Sequence, residues 1–303
     1  MKYIDEYRDS GLVKLFLDKI NEETKQEVTL MEVCGGHTWA IQKFGIPTIL
    51  PEKIRLLSGP GCPVCVTDRK YIDQAVAYSR LTDVIITTFG DLIRVPGSTS
   101  SLALEKSKGA DVRIVYSILD AIKIAKENPQ KKIIFLGIGF ETTAASTSAG
   151  VYNAAQENLN NFFLFSSHKI MPPAMAALID EGVKIDGYIA PGHVSVVTGS
   201  GIYEDIVKKC KVACVISGFE PADILQSVYM LLQQINKQEF TVEIQYKRVV
   251  KKEGNIKAQA LIEDVFSLRD EWWRGFGVLP LSGLGISEKY SRFNAEKMID
   301  VEV

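Results

Sequence analysis

The chain of 303 residues is poor in cysteine: it has five, an odd number, three of them within residues 34–65. Small secreted domains held by disulfides carry dense, even sets, so no disulfide framework is expected. Long apolar runs are also missing. A membrane-spanning helix needs about 18 or more consecutive apolar residues, and the longest candidates here, such as residues 212–216, are strand-sized. The opening MKYIDEYRDS carries acidic residues and no apolar h-region, which argues against a secretory signal. Neither sign of charge is in excess: Lys plus Arg number 35, Asp plus Glu 37, and the net charge is -2. A near-neutral chain without a basic block is a poor ligand for nucleic-acid backbone. The expectation is a soluble, cytoplasmic protein with reduced thiols that binds neither nucleic acid nor membrane.

What is present is enough for a sizeable core, with 46% hydrophobic and 24% charged residues. The length suits about two domains. Leu12, Leu15, Phe16 and Ile20 space residues 4–20 as a helix. Strand-sized apolar runs follow at 29–33, 54–57, 84–88, 112–115, 132–136, 162–165, 187–190 and 212–216. Helical stretches lie between them, among them 69–78, 121–126, 173–180 and 222–234. This alternation predicts an α/β protein with parallel sheets. Four of the strands fall on each side of the Asn128-Pro129 break. The expected architecture is therefore two parallel-sheet α/β units facing a shared cleft, residues 1–130 and 131–238, plus a small C-terminal appendage, 239–303, packed on the second unit. Within the appendage, 240–250 reads as a strand and 256–265 as a helix. Residues 271–285, rich in Gly and aromatics, read as irregular, with Trp272 and Trp273 as packing residues.

Ligands of open parallel sheets sit beyond the carboxyl ends of the strands, so the segments that follow each predicted strand carry the functional search. They include Cys34-Gly35-Gly36-His37-Thr38, Gly59-Pro60-Gly61-Cys62-Pro63-Val64-Cys65, and Phe89-Gly90-Asp91 with Arg94 shortly after. Beyond Asn128 they include Gly137-Ile138-Gly139-Phe140-Glu141-Thr142-Thr143, Ser166-Ser167-His168, Pro191-Gly192-His193 and Ser217-Gly218-Phe219-Glu220-Pro221. All three histidines and three of the five cysteines fall in this set. Gly and Pro punctuate strand ends in any protein, but that does not account for the concentration of His, Cys and Glu.

Cys62-Pro63-Val64-Cys65 precedes a predicted helix. A CxxC at a helix N-terminus has its thiolate favoured by the helix dipole and can cycle between dithiol and disulfide. Cys34 stands alone before two glycines that let a ligand approach the backbone. Cys210 and Cys214, the latter inside an apolar run, read as structural. Cys34-x-x-His37 with Cys62-x-x-Cys65 also has zinc-like spacing, and the same donors suit iron. Gly137-x-Gly139 followed by Thr142-Thr143 could cradle an anion, though it is neither a P-loop nor a dinucleotide fingerprint, and Thr142 could equally be a helix N-cap. Glu141 and Glu220 each follow a Phe at a strand end and could orient a ligand or pair with Arg94. His193 could be a proton donor or a turn residue.

The ordered motifs MEVCGGHT, GPGCPVCV, FGDLIRVPG, GFETT, PGHVS and SGFEP, followed by WRGFG, SGL and YSRFNAE, resemble the HypD family of [NiFe]-hydrogenase maturation proteins from about Thr29 to Ala295. The resemblance implies a redox-active assembly scaffold rather than a turnover enzyme, on which the Fe(CN)2(CO) group is built. A HypC-type chaperone and a HypE-type cyanide donor are the implied partners. It implies that Cys34 holds iron, that Cys62 and Cys65 take part in redox work and in the iron site, and that His37 is the family's motif histidine. Glu141, Thr142, His193 and Glu220 are carried as cofactor-binding candidates. The chain departs from the family in having Trp39 where a second histidine usually stands. It also has no cysteine after Cys214, so the ligands of the family's [4Fe-4S] cluster are not found in it. Two other readings stay open: a metal-free thiol–disulfide oxidoreductase using Cys62 and Cys65, and an α/β protein with structural zinc on Cys34, His37, Cys62 and Cys65.

Overall fold

A computed structural model of the chain describes residues 5–302. Its strands are β1 Val28–Glu32, β2 Ile54–Ser58, β3 Val84–Thr88, β4 Val112–Ile114, β5 Lys132–Gly139, β6 Phe162–Lys169, β7 Gly187–Pro191, β8 Ala213–Ser217, β9 Val242–Ile244, β10 Phe266–Trp273 and β11 Gly277–Ile286. All eight strands expected from the apolar runs are present, and helices intervene as the α/β reading requires. Strands buried on both faces read as continuous apolar runs, which is why β3 and β5 to β8 stand out in the sequence.

The strands form two sheets, one in the order β2-β1-β7-β8-β9 and one in the order β10-β11-β6-β5-β3-β4. Contacts divide the chain accordingly. The first unit is Met1–Cys62 with Pro172–Ile256, and the second is Pro63–Met171 with Lys257–Val303. A boundary near residue 130 is therefore corrected. β3 pairs with β5 in register from Val84↔Lys132 to Thr87↔Phe135, so the strands on either side of Asn128-Pro129 share a sheet. The single C-terminal appendage is corrected too. β9 joins the first sheet beside β8, while β10 and β11 extend the second beyond β6. Residues 271–285 are not irregular but mostly strand. They belong to an antiparallel hairpin whose turn uses Gly275 and Gly277 at φ +96 and +77. Its glycines and half-exposed aromatics hide the alternation that marks a strand. Of the strand expected at 240–250, only Val242–Ile244 forms.

Each unit builds its own core. In the second, alternate residues of one strand feed opposite faces: Ile133 and Phe135 pack into one apolar cluster, Ile134 and Leu136 into another. In the first, β1, β7 and β8 are buried throughout, and the helix Pro221–Lys237 lays Ile224, Leu225, Val228 and Leu231 against them. Among the described residues no helix is long and apolar enough to cross a membrane.

The topology selects where ligands can bind. In the first sheet β2 lies on one side of β1 and β7 on the other, so the strand order reverses at β1–β7. In the second, β4 and β5 flank β3 in the same manner. Such reversals open a crevice at the carboxyl ends of the two strands.

Candidate functional site

The β1–β7 reversal is occupied by the Cys34 turn. β1 ends at Glu32, and Cys34, in extended conformation at φ -147, is the N-cap of the helix Gly35–Lys43. Its carbonyl accepts the amides of His37 at 2.8 Å and Thr38 at 3.1 Å. Burial pushes the Cys34 thiol up, the backbone N–H groups of Gly36 and His37 pull it down, and the nearby Glu32 carboxylate pushes it up again. The thiol thus lies at the positive end of a helix. The loop after β2 closes against this turn. Gly61 accepts the Gly35 amide at 3.2 Å, and a Cβ on Gly61 would stand 2.4 Å from the Cys34 nitrogen. Only glycine fits there, and this places the residue before Cys62 against Cys34.

His37 is fully buried. Its Nε2–H donates to the Gly218 carbonyl at 3.0 Å, which leaves Nδ1 as a buried nitrogen without a partner. Burial lowers its pKa to about 4, so the ring is neutral near pH 7. Phe219 lies between two imidazoles, stacked on His37 at 4.5 Å and on exposed His193 at 3.9 Å between ring centroids. The loop that carries Phe219 is held from below. Gly218 donates its amide to Gln245 at 3.0 Å, and Gln245 in turn donates to the fully buried Asp223 at 2.8 Å. Asp223 also takes both guanidinium arms of Arg248. Glu220, expected to orient a ligand or reach Arg94, caps the helix Pro221–Lys237 and forms a forked ion pair with Arg8.

Cys62 and Cys65 are joined by a disulfide. Neither starts a helix, which corrects the expectation: the next helix begins at Arg69 and is capped by Asp68, whose carboxylate accepts the Lys70 amide. The helix-start thiol is Cys34 instead. Cys34, Cys210 and Cys214 are free; Cys214 is buried in β8 and Cys210 ends the helix Glu204–Cys210.

Among the described residues no group of three or more His, Cys, Asp or Glu is arranged to hold a metal, and the disulfide withdraws two thiolates. A resident four-ligand zinc centre on Cys34, His37, Cys62 and Cys65 does not fit this arrangement.

The second unit holds the other candidates. Glu141 is the first residue of the helix Glu141–Gln156 and is 5% exposed. Its Oε1 accepts the Met171 amide at 3.0 Å, while Oε2 is buried without a partner. Burial pushes its pKa up to about 7, against weaker opposing backbone hydrogen bonds. Thr142 is not the N-cap; Phe140 is. His168, at the end of β6, is a packing residue. It is fully buried with Nδ1 3.0 Å from Ser166 and Nε2 3.2 Å from Thr147, and burial lowers its pKa to about 3.

Glu32, Thr38, Phe219 and Asp223 were missed as site residues by sequence reasoning. The one signal available for Glu32 was an acid closing an otherwise apolar strand.

The fold and this turn define a class: an α/β protein with a free thiol at a helix start, packed against the glycine that precedes a CxxC motif. The particular family follows from comparison. The HypD profile, described as "Hydrogenase formation hypA family", matches residues 11–303. The Escherichia coli hydrogenase maturation factor HypD is 43% identical over 305 residues, covering 98% of this chain and 82% of the relative. HypD2 of Bradyrhizobium diazoefficiens is 41% identical over 314 residues, covering 99% and 82%. HypD of Rhodobacter capsulatus is 42% identical over 310 residues, also covering 99% and 82%. The chain belongs to the HypD family of hydrogenase maturation proteins.

Proposed function

We propose that the chain is a scaffold for assembling the Fe(CN)2(CO) group of a [NiFe]-hydrogenase, with iron held as cargo on Cys34. The observation that carries this reading is the Cys34 turn. A free thiol sits at a strand-order reversal, with two helix-start N–H groups acting on it and an unpartnered imidazole nitrogen three residues on in His37. Low-spin iron with cyanide and carbon monoxide ligands favours soft thiolate donors. One thiolate leaves most of the coordination sphere to the cargo's own ligands and to a HypC-type chaperone. His193, exposed on the same aromatic stack, is available to move a proton.

Cys62 and Cys65 supply electrons in this reading. A HypE-type donor carries the cyano group on sulfur as R–S–C≡N. Breaking the S–C bond to release cyanide and R–S⁻ takes two electrons. The Cys62 and Cys65 thiols provide them by closing to the disulfide, with release of two protons, and an external dithiol reopens the bridge.

Iron content of protein purified without oxygen together with a HypC-type chaperone tests this. Wild type should retain iron, and Cys34→Ala should lose it while keeping its circular dichroism. Unchanged iron in the mutant, or an equivalent of zinc that survives a mild chelator, would refute the scaffold reading. The disulfide favours one second reading, a metal-free thiol–disulfide oxidoreductase. That reading requires disulfide exchange with substrate proteins at full rate in Cys34→Ala.

A further inference from the structure

Glu32 closes β1 with its side chain 2% exposed. Three donors converge on its carboxylate: the Cys34 amide at 2.9 Å, the Thr38 hydroxyl, and the Ser58 hydroxyl from the end of β2. Two of them belong to the Cys34 turn and its helix, and the third to the strand that leads into Gly59-Pro60-Gly61-Cys62. The Glu32 carbonyl accepts the Gly59 amide at 2.7 Å as well. One residue therefore ties the Cys34 turn to the start of the CxxC loop. Among the described residues it has no cationic partner: the groups acting on it are hydroxyls and an amide.

A buried carboxylate without a cation is costly, and proteins keep one mainly where it is paired or serves a metal. A helix start needs no such group, since an exposed Ser, Thr or Asp caps it as well. A divalent cation on the Cys34 sulfur would stand next to this carboxylate, which accepts the Cys34 amide and has no cationic partner among the described residues.

We infer that Glu32 is a positioning residue that fixes Cys34 at the helix start and acts, through Cys34, as the outer counter-charge for a divalent cation bound there. This inference rests on the reading of Cys34 as a metal ligand. Outer groups of this kind typically change metal affinity by roughly 10–100-fold.

Cobalt(II) is the probe, added to the full chain with the Cys62–Cys65 disulfide intact, so that the thiolate-to-cobalt charge-transfer band reports Cys34. Glu32→Gln should weaken cobalt binding by roughly 10–100-fold, and Glu32→Asp, which keeps the charge, should lose less. Binding by Glu32→Gln equal to wild type overturns the inference while leaving the Cys34 reading intact, provided Cys34→Ala abolishes the band. Glu32→Asp as weak as Glu32→Gln overturns the counter-charge role. No band in wild type overturns the inference, while the scaffold reading is decided separately by iron retention in the chaperone complex. If Glu32→Gln does not fold, Thr38→Val removes one of the three donors and should still weaken binding. Unchanged affinity in a folded Thr38→Val then overturns the inference.

Discussion

Both units start a helix directly from the end of a buried parallel strand, and both place a buried glutamate there, yet the two ends differ chemically. At the end of β1, Glu32 has three donors and stands beside a free thiol. At the end of β5, Glu141 has the Met171 amide on one oxygen and nothing on the other. Burial raises both carboxyls. For Glu32 the hydroxyls and amide oppose the rise by solvating the charge, whereas Glu141 is carried to about 7. The two strand-end acids thus differ in how many donors oppose the effect of burial.

The largest effect should come from removing the support of the first end. Asp223 is fully buried and holds Arg248 and Gln245 under the Phe219 loop. Asp223→Ala strands the guanidinium and should destabilise the protein by about 3–5 kcal/mol, read from urea unfolding. A loss below 1 kcal/mol would mean that the loop is held by other contacts.

The second end should respond to pH. The folded-state pKa of Glu141, about 7, lies above the unfolded value near 4.5. Between these values the folded state binds the extra proton, so this residue's contribution to stability falls as pH rises from about 5 to 8, by about 3 kcal/mol in full. Glu141→Gln removes that slope. Its unfolding midpoint should gain on wild type across this range, and parallel curves for the two proteins would show that Glu141 ionises normally. Glu32→Gln loses an acceptor for three donors and should also destabilise the protein, read from the same unfolding curves.

The smallest effect is at the rim of the first end. His193→Ala removes one ring from the Phe219 stack, worth about 0.5–1.5 kcal/mol. Thermal unfolding measures this, and a stabilised mutant would contradict the stack as described.

Much of this was legible along the chain. The Cys34, Cys62 and His193 segments were marked as functional because Gly-rich turns rarely gather so many His and Cys. The Cys62–Cys65 pairing agrees with two intervening residues. The helix-start thiol, by contrast, was assigned to the wrong cysteines. Which residue caps a helix depends on one side-chain hydrogen bond, from the Lys70 amide to Asp68, and three residues of chain separate Cys65 from Arg69. His168 was legible as a strand-end histidine but not as a packed one, because Ser166 and Thr147 reach it from within the core.

The sequence by itself determined the α/β class, the eight strands and the positions of the Gly-, His- and Cys-rich strand-end segments, since periodicity, turn residues and motif spacing are local properties. Only the tertiary structure decided which strands share a sheet, that β10 and β11 pair, and that Phe219 stacks between two histidines. It alone brought Ser58 and Thr38 onto Glu32. The sheet membership, the Phe219 stack and the Ser58 contact depend on register between segments far apart in the chain, where competing pairings of similar apolar strands differ little in local propensity and are separated only by how the whole core packs.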